Sequence, residues 1–101
     1  MVLTLACLCG VTAQAQDLQA GRQKAQACAV CHGQAGISQA PDAPHLAGQP
    51  ALYLSAQLRA YRSGARKHEV MAVMARPLTD DDIANLALWF SSIKIEAQLP
   101  P

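Results

Sequence analysis

Residues 28–32 read Cys28-Ala29-Val30-Cys31-His32, and this C-x-x-C-H string narrows what the chain can be more than any other five residues. It is the spacing of covalent c-type haem attachment, in which each position has its own chemical task. Cys28 and Cys31 would add across the two haem vinyl groups as thioethers. His32 would then fall beneath the iron and give it an imidazole nitrogen as proximal ligand. Three other readings use the same residues. A thioredoxin-like pair needs a βαβ setting, and no strand alternation is visible. A zinc site needs further ligands, for which only His45 and His68 are left among the histidines. A Cys28–Cys31 disulfide would close a trivial loop and stabilise little.

The 101 residues make one small domain, nearly neutral at a formal charge of +1. Charged residues are 15% and no like-charge block is long, which argues against a nucleic-acid partner. The aromatics are Tyr53, Tyr61, Trp89 and Phe90. A domain this small rarely buries enough apolar surface unaided, so something besides side chains is expected in the core.

Residues 1–16 carry no charge and end in Ala13-Gln14-Ala15, which fits a secretory cleavage site before Gln16. The apolar run is shorter than the roughly 18 to 20 residues that span a bilayer. The expectation is a cleaved signal over 1–15, its start truncated because the basic n-region is missing, and a domain over 16–101. Cys7 and Cys9 would leave with the signal.

The Ala-, Gln- and Lys-rich stretch from Asp17 to about Cys31 predicts a first helix. Residues 33–49 hold Gly33, Gly36, Pro41, Pro44 and Gly48 and predict a loop wrapped on something. Pro50, then Leu54, Leu58 and Tyr61, then Gly64 predict a second helix with its start and stop. Thr79 before Asp80, Asp81 and Asp82 is an N-cap with carboxylates on the positive end of a dipole, and Ile83, Leu86, Ala87 and Phe90 form the buried stripe of a last helix. Beyond Ile95 the tail should fray. The class is all-α with long loops.

A metal-bound histidine needs its second ring nitrogen fixed by an acceptor. A carbonyl in the Pro-stiffened Pro44-His45-Leu46-Ala47-Gly48 loop can serve, and the same residues also suit a plain surface turn. Arg59, Arg62, Arg66 and Lys67 form a basic stretch that suits a solvated helix face, a haem propionate or an acidic partner. His45 and His68 are expected to be exposed and are assigned no function.

Taken together, CAVCHG at 28–33, PHLAGQP at 44–50, YLSAQLRAYRSGARK at 53–67, MAVM at 71–74 and PLTDDDIANLALWF at 77–90 resemble the class I c-type cytochromes. The likeness is to small bacterial monohaem proteins and to single domains of dihaem cytochromes c. It implies a class I fold of three to four helices around one covalent haem c. Pro44 would supply the carbonyl to His32, and Met71 would be the distal iron ligand, with Met74 as the alternative. Gly21 would let the first helix approach the last near Leu86 and Trp89. Tyr53 and Trp89 would be core residues or donors to a haem propionate.

The function expected is a periplasmic, non-enzymatic carrier that cycles Fe(II)/Fe(III) between a redox protein donor and acceptor, touching membrane complexes only transiently and using no small-molecule substrate. A subunit of a larger respiratory or dehydrogenase complex is the alternative, as is a haem sensor or weak peroxidase. If the haem completes the core, a Cys28→Ser, Cys31→Ser variant should be largely unfolded. Its far-UV circular dichroism should lose most of the helical signal, and full helicity would refute the expectation.

Overall fold

A computed structural model describes residues 17–101; the expected signal segment and Cys7 and Cys9 lie outside the described residues. Five α-helices follow one another: α1 Leu18–Lys24, α2 Ala29–His32, α3 Ala51–Ser63, α4 Glu69–Ala75 and α5 Asp80–Ser92. A 3-10 turn, Ala25–Ala27, joins α1 to α2. No strand occurs among the described residues. The all-α class is as expected.

The single first helix expected over 17–31 is instead α1, the 3-10 turn and α2. The chain keeps coiling in the same hand, but its hydrogen bonds tighten over Ala25–Cys28, with Cys28 N donating to Ala25 O at 2.9 Å. Three residues of 3-10 turn are too few for its period of 3.0 to separate from the 3.6 of an α-helix in the apolar spacing. α4 was not foreseen. At seven residues it is too short for periodicity to separate from a loop.

α5 is the spine, with α1 and α3 both packed on it. The buried residues of α5 are Ile83, Leu86, Ala87 and Phe90, the stripe read from the sequence. Its start is a full capping box: Asp82 N donates to Thr79 Oγ1 at 3.0 Å, and Thr79 N donates to Asp82 Oδ2 at 3.0 Å. Asp17 caps α1 through Gln19 N and Ala20 N, and its own N–H donates to Asn85 Oδ1 at 2.8 Å, fixing α1 against α5.

The two helices meet at Gly21. A Cβ there would collide with the Asn85 carbonyl and stand 3.0 Å from Trp89 Cβ. Trp89 is half-buried against the core, with the Arg22 guanidinium 5.7 Å from its ring centre. Tyr53, by contrast, is exposed on α3 and is no core residue.

The core is thin. Its buried hydrophobics are Ala25, Ala47, Leu54, Ala75, Ile83, Leu86, Ala87 and Phe90, half of them alanine. Cys28, Leu46, Leu58 and Leu78 stand only half-covered against that cluster.

Two predictions follow from this packing. Gly21→Ala should gain up to about 1 kcal/mol of helix propensity yet destabilise on balance by about 2 kcal/mol, because the added methyl wedges α1 off α5; a urea melt measures the difference. Asp82 is held below the ordinary aspartate range by the Thr79 backbone N–H, and Asp80 by the Arg62 guanidinium. A depressed folded pKa stabilises fully above the ordinary value of about 3.9 and is lost as pH falls through the folded value. Melts below pH 4 should weaken in the parent, and Asp82→Asn, which removes the titrating carboxylate, should shrink that acid loss; Thr79→Ala, which keeps the backbone N–H but loses the cap hydroxyl, should cost about 1 kcal/mol at neutral pH.

Candidate functional site

α2 ends on His32, which is 7% exposed. Gly33 then takes φ +83°, and a Cβ there would collide with the Ile37 carbonyl, so the chain can leave the helix at this angle only as glycine. The loop beyond is organised by hydrogen bonds without regular structure. Gly36 O accepts from Leu46 N at 2.7 Å and from Ala47 N at 3.0 Å, and Gly48 N donates to Phe90 O at 2.9 Å. These bonds return the chain to α5 and set Pro44 beside His32.

His32 Nδ1 lies 2.8 Å from Pro44 O. A carbonyl can only accept, so Nδ1 carries the hydrogen. The ring is thus oriented with Nδ1 engaged and Nε2 left for another partner, the arrangement a metal-ligating histidine requires. The loop carbonyl read from the sequence as one of two possibilities is therefore an acceptor and not a plain turn.

Cys28 is half-buried and Cys31 exposed, and no disulfide joins them. Burial pushes the Cys28 thiol up. No group of three or more His, Cys, Asp or Glu side chains able to hold a metal ion occurs among the described residues, which removes support for zinc. Two sulfurs and an oriented imidazole within residues 28–32 fit a large apolar group held at two sulfurs and one nitrogen.

Met71 and Met74 both lie on α4. Met71 is half-buried, on the side of the helix that includes the fully buried Ala75, whereas Met74 is 38% exposed beside Val70 and Val73. The first turn of α4 is held by His68, whose Nδ1 accepts from Met71 N at 3.2 Å. The His68 ring also stands edge-on to Tyr61, centroids 6.4 Å apart. Arg62 donates to Leu78 O at 3.0 Å and to Asp80 Oδ1 at 2.7 Å, tying α3 to the segment between α4 and α5.

Three expectations need correction. His68 is exposed as expected but caps α4, a role hidden because histidine is not among the usual capping residues. His45 is exposed but accepts from Ser38 N at 2.8 Å. Within the basic stretch, Arg62 is a tether, and Arg66 donates to Gln57 Oε1 at 2.8 Å and covers Tyr61 at 4.7 Å. Of the four only Arg59, exposed on α3, fits the plain solvated helix face, since Lys67 is exposed in the turn beyond that helix.

Residues 18–94 match the family model described as Cytochrome c. The chain is 44% identical over 81 residues to cytochrome c-554(548) of Halomonas halodenitrificans, covering 77% of this chain and 98% of that one. It is 40% identical over 95 residues to cytochrome c4 of Pseudomonas aeruginosa, covering 94% of this chain and 47% of that one. A crystal structure of reduced recombinant cytochrome c4 from Pseudomonas stutzeri superposes with a TM-score of 0.74 at 40% identity, over 79% of this chain and 47% of that chain. The chain thus spans nearly all of one relative and about half of the others.

Loss of the α4 cap should be measurable. His68→Ala should lower stability by about 1 kcal/mol in a urea melt, and His68→Asn, which keeps an acceptor at the cap, should recover most of it.

Proposed function

Since the chain belongs to the cytochrome c family, carries haem c and transfers electrons, we propose that it does so as a periplasmic carrier docking transiently with separate redox proteins. Bound haem supplies a one-electron Fe(II)/Fe(III) couple. Cys28 and Cys31 would hold it through thioethers, and His32 Nε2 and the Met71 thioether sulfur would be the two protein ligands of its iron. The observation that carries this reading is the 2.8 Å contact of His32 Nδ1 with Pro44 O, which leaves a single nitrogen for iron.

Met71 is preferred to Met74 because it is the more enclosed of the two and sits on the capped first turn of α4. A thioether is a soft, weak ligand that favours ferrous iron, so His/Met ligation raises the reduction potential relative to two imidazoles. With His32 and Met71 both committed to the iron, O₂ and peroxide would find no free ligand position, which favours a carrier over a catalyst.

Export is supported by the apolar, uncharged segment before Asp17. Among the described residues no helix is long and apolar enough to cross a membrane. Contact with donor and acceptor should be small, below about 1,200 Å², so that exchange is fast.

A second reading, a cytochrome domain or subunit working beside a dehydrogenase, draws on two relatives. One is named thiosulfate dehydrogenase electron acceptor, from Stutzerimonas stutzeri, 42% identical over 69 residues and covering 32% of that chain. The other is the structure of thiosulfate dehydrogenase (TsdBA) from Marichromatium purpuratum, with a TM-score of 0.73 at 32% identity over 83% of this chain and 20% of that one. Stable co-purification with an oxidoreductase would favour it.

The ligand set is tested by intact mass and absorption spectra of exported protein. The mass should exceed the polypeptide by one haem. Met71→Ala should lose the Met-to-iron charge-transfer band of the ferric form, whereas Met74→Ala should keep it; the opposite pattern would exchange the two assignments.

A further inference from the structure

We infer that Ser38 and His45 are positioning residues for the iron ligand, forming a clamp that sets the His32–Pro44 hydrogen bond; this inference rests on the ligation proposed above. Ser38 is 9% exposed, although it lies in a loop without regular structure. Its hydroxyl lies 2.9 Å from Cys31 O and 3.1 Å from Ala40 O, as a donor, and accepts from Ala40 N at 3.1 Å. Its backbone N–H donates to His45 Nδ1 at 2.8 Å.

Cys31 immediately precedes His32, and His45 immediately follows Pro44. One buried residue therefore grips the chain beside each end of the His32–Pro44 bond. The result is a closed ring: the His32 imidazole to Pro44 O, along the chain to His45, across to Ser38 N, from the Ser38 hydroxyl to Cys31 O, and back along the chain to His32.

A backbone N–H can only donate, so His45 Nδ1 must be unprotonated where it accepts, with any ring hydrogen on Nε2. The His45 carbonyl is itself held by Gln49 Nε2 at 3.0 Å, so the residue is fixed at both its ring and its backbone. A loop that only needed to cross the surface has no use for a buried serine making bonds in three directions. A loop that must hold one carbonyl at a set distance from one imidazole does.

The consequence lies in the basicity of His32. A short Nδ1–H···O bond makes the imidazole a stronger donor at Nε2 and so favours ferric iron. Releasing the clamp lets the Pro44 carbonyl drift, weakens that donation and favours the ferrous form.

The test uses haem-loaded protein with three variants. His45→Leu removes the acceptor, Ser38→Ala removes the hydroxyl, and His45→Asn keeps an acceptor oxygen. Reduction potential is read together with exchange of the Ser38 amide. His45→Leu should speed that exchange, and both disruptive variants should raise the ferrous-to-ferric ratio at fixed potential by threefold to tenfold, tenfold being about 59 mV for a one-electron couple. His45→Asn should return both readings most of the way to the parent. A lower melting temperature with an unmoved potential in His45→Leu and Ser38→Ala, haem still attached, would overturn the clamp and reduce these residues to loop packing. A parent protein without thioether-linked haem would overturn the ligation reading and the clamp together.

Discussion

An imidazole offers two nitrogens, and what His32 can do depends on which of them is already engaged. The Pro44 carbonyl takes Nδ1 at 2.8 Å, and the rest of the domain can be understood as the means of bringing that carbonyl to that place. Three hydrogen bonds fold residues 33–48 back on themselves and onto α5, through Gly36 O and Phe90 O. α5 is in turn fixed to α1 by the close approach at Gly21 and by the Asp17–Asn85 contact. Because α1 runs through the 3-10 turn into α2, the frame that places the carbonyl also places the ring that meets it.

The polypeptide alone leaves this frame incomplete. Four of its eight buried hydrophobics are alanine, each contributing little apolar area, while leucines from the loop, from α3 and from the segment before α5 remain half-covered. At about 25 cal/mol for each Å² of apolar surface removed from water, a covalently attached macrocycle is a large addition to so thin a core.

Much of this was legible in the sequence because it is written locally. The α5 stripe, its Thr79 cap and acidic first turn, the Pro50 and Gly64 boundaries of α3, and the attachment string each depend on residues within a few positions of one another. What was illegible depends on distant partners or short elements. His45 acts through Ser38, seven residues away across a turn, and Arg62 acts on Leu78 and Asp80, sixteen and eighteen residues on. Nothing in the spacing of those residues signals the pairing. α4 escaped because seven residues hold two turns at most, and because its cap is a histidine, which ordinarily suggests a ligand or a titrating group before it suggests the end of a helix.

The two sides of the proposed iron site are braced by different parts of the chain. The His32 side rests on the loop between Gly33 and Gly48. The Met71 side rests on a short helix whose outer residues Val70 and Val73 meet water, secured by His68 at its start and followed by a segment tied back through Arg62. No residue belongs to both supports. Such an architecture gives graded failure: mild heat or denaturant would slacken the short helix first and release sulfur from the metal, while the imidazole stayed in place and the pigment stayed bonded to the chain.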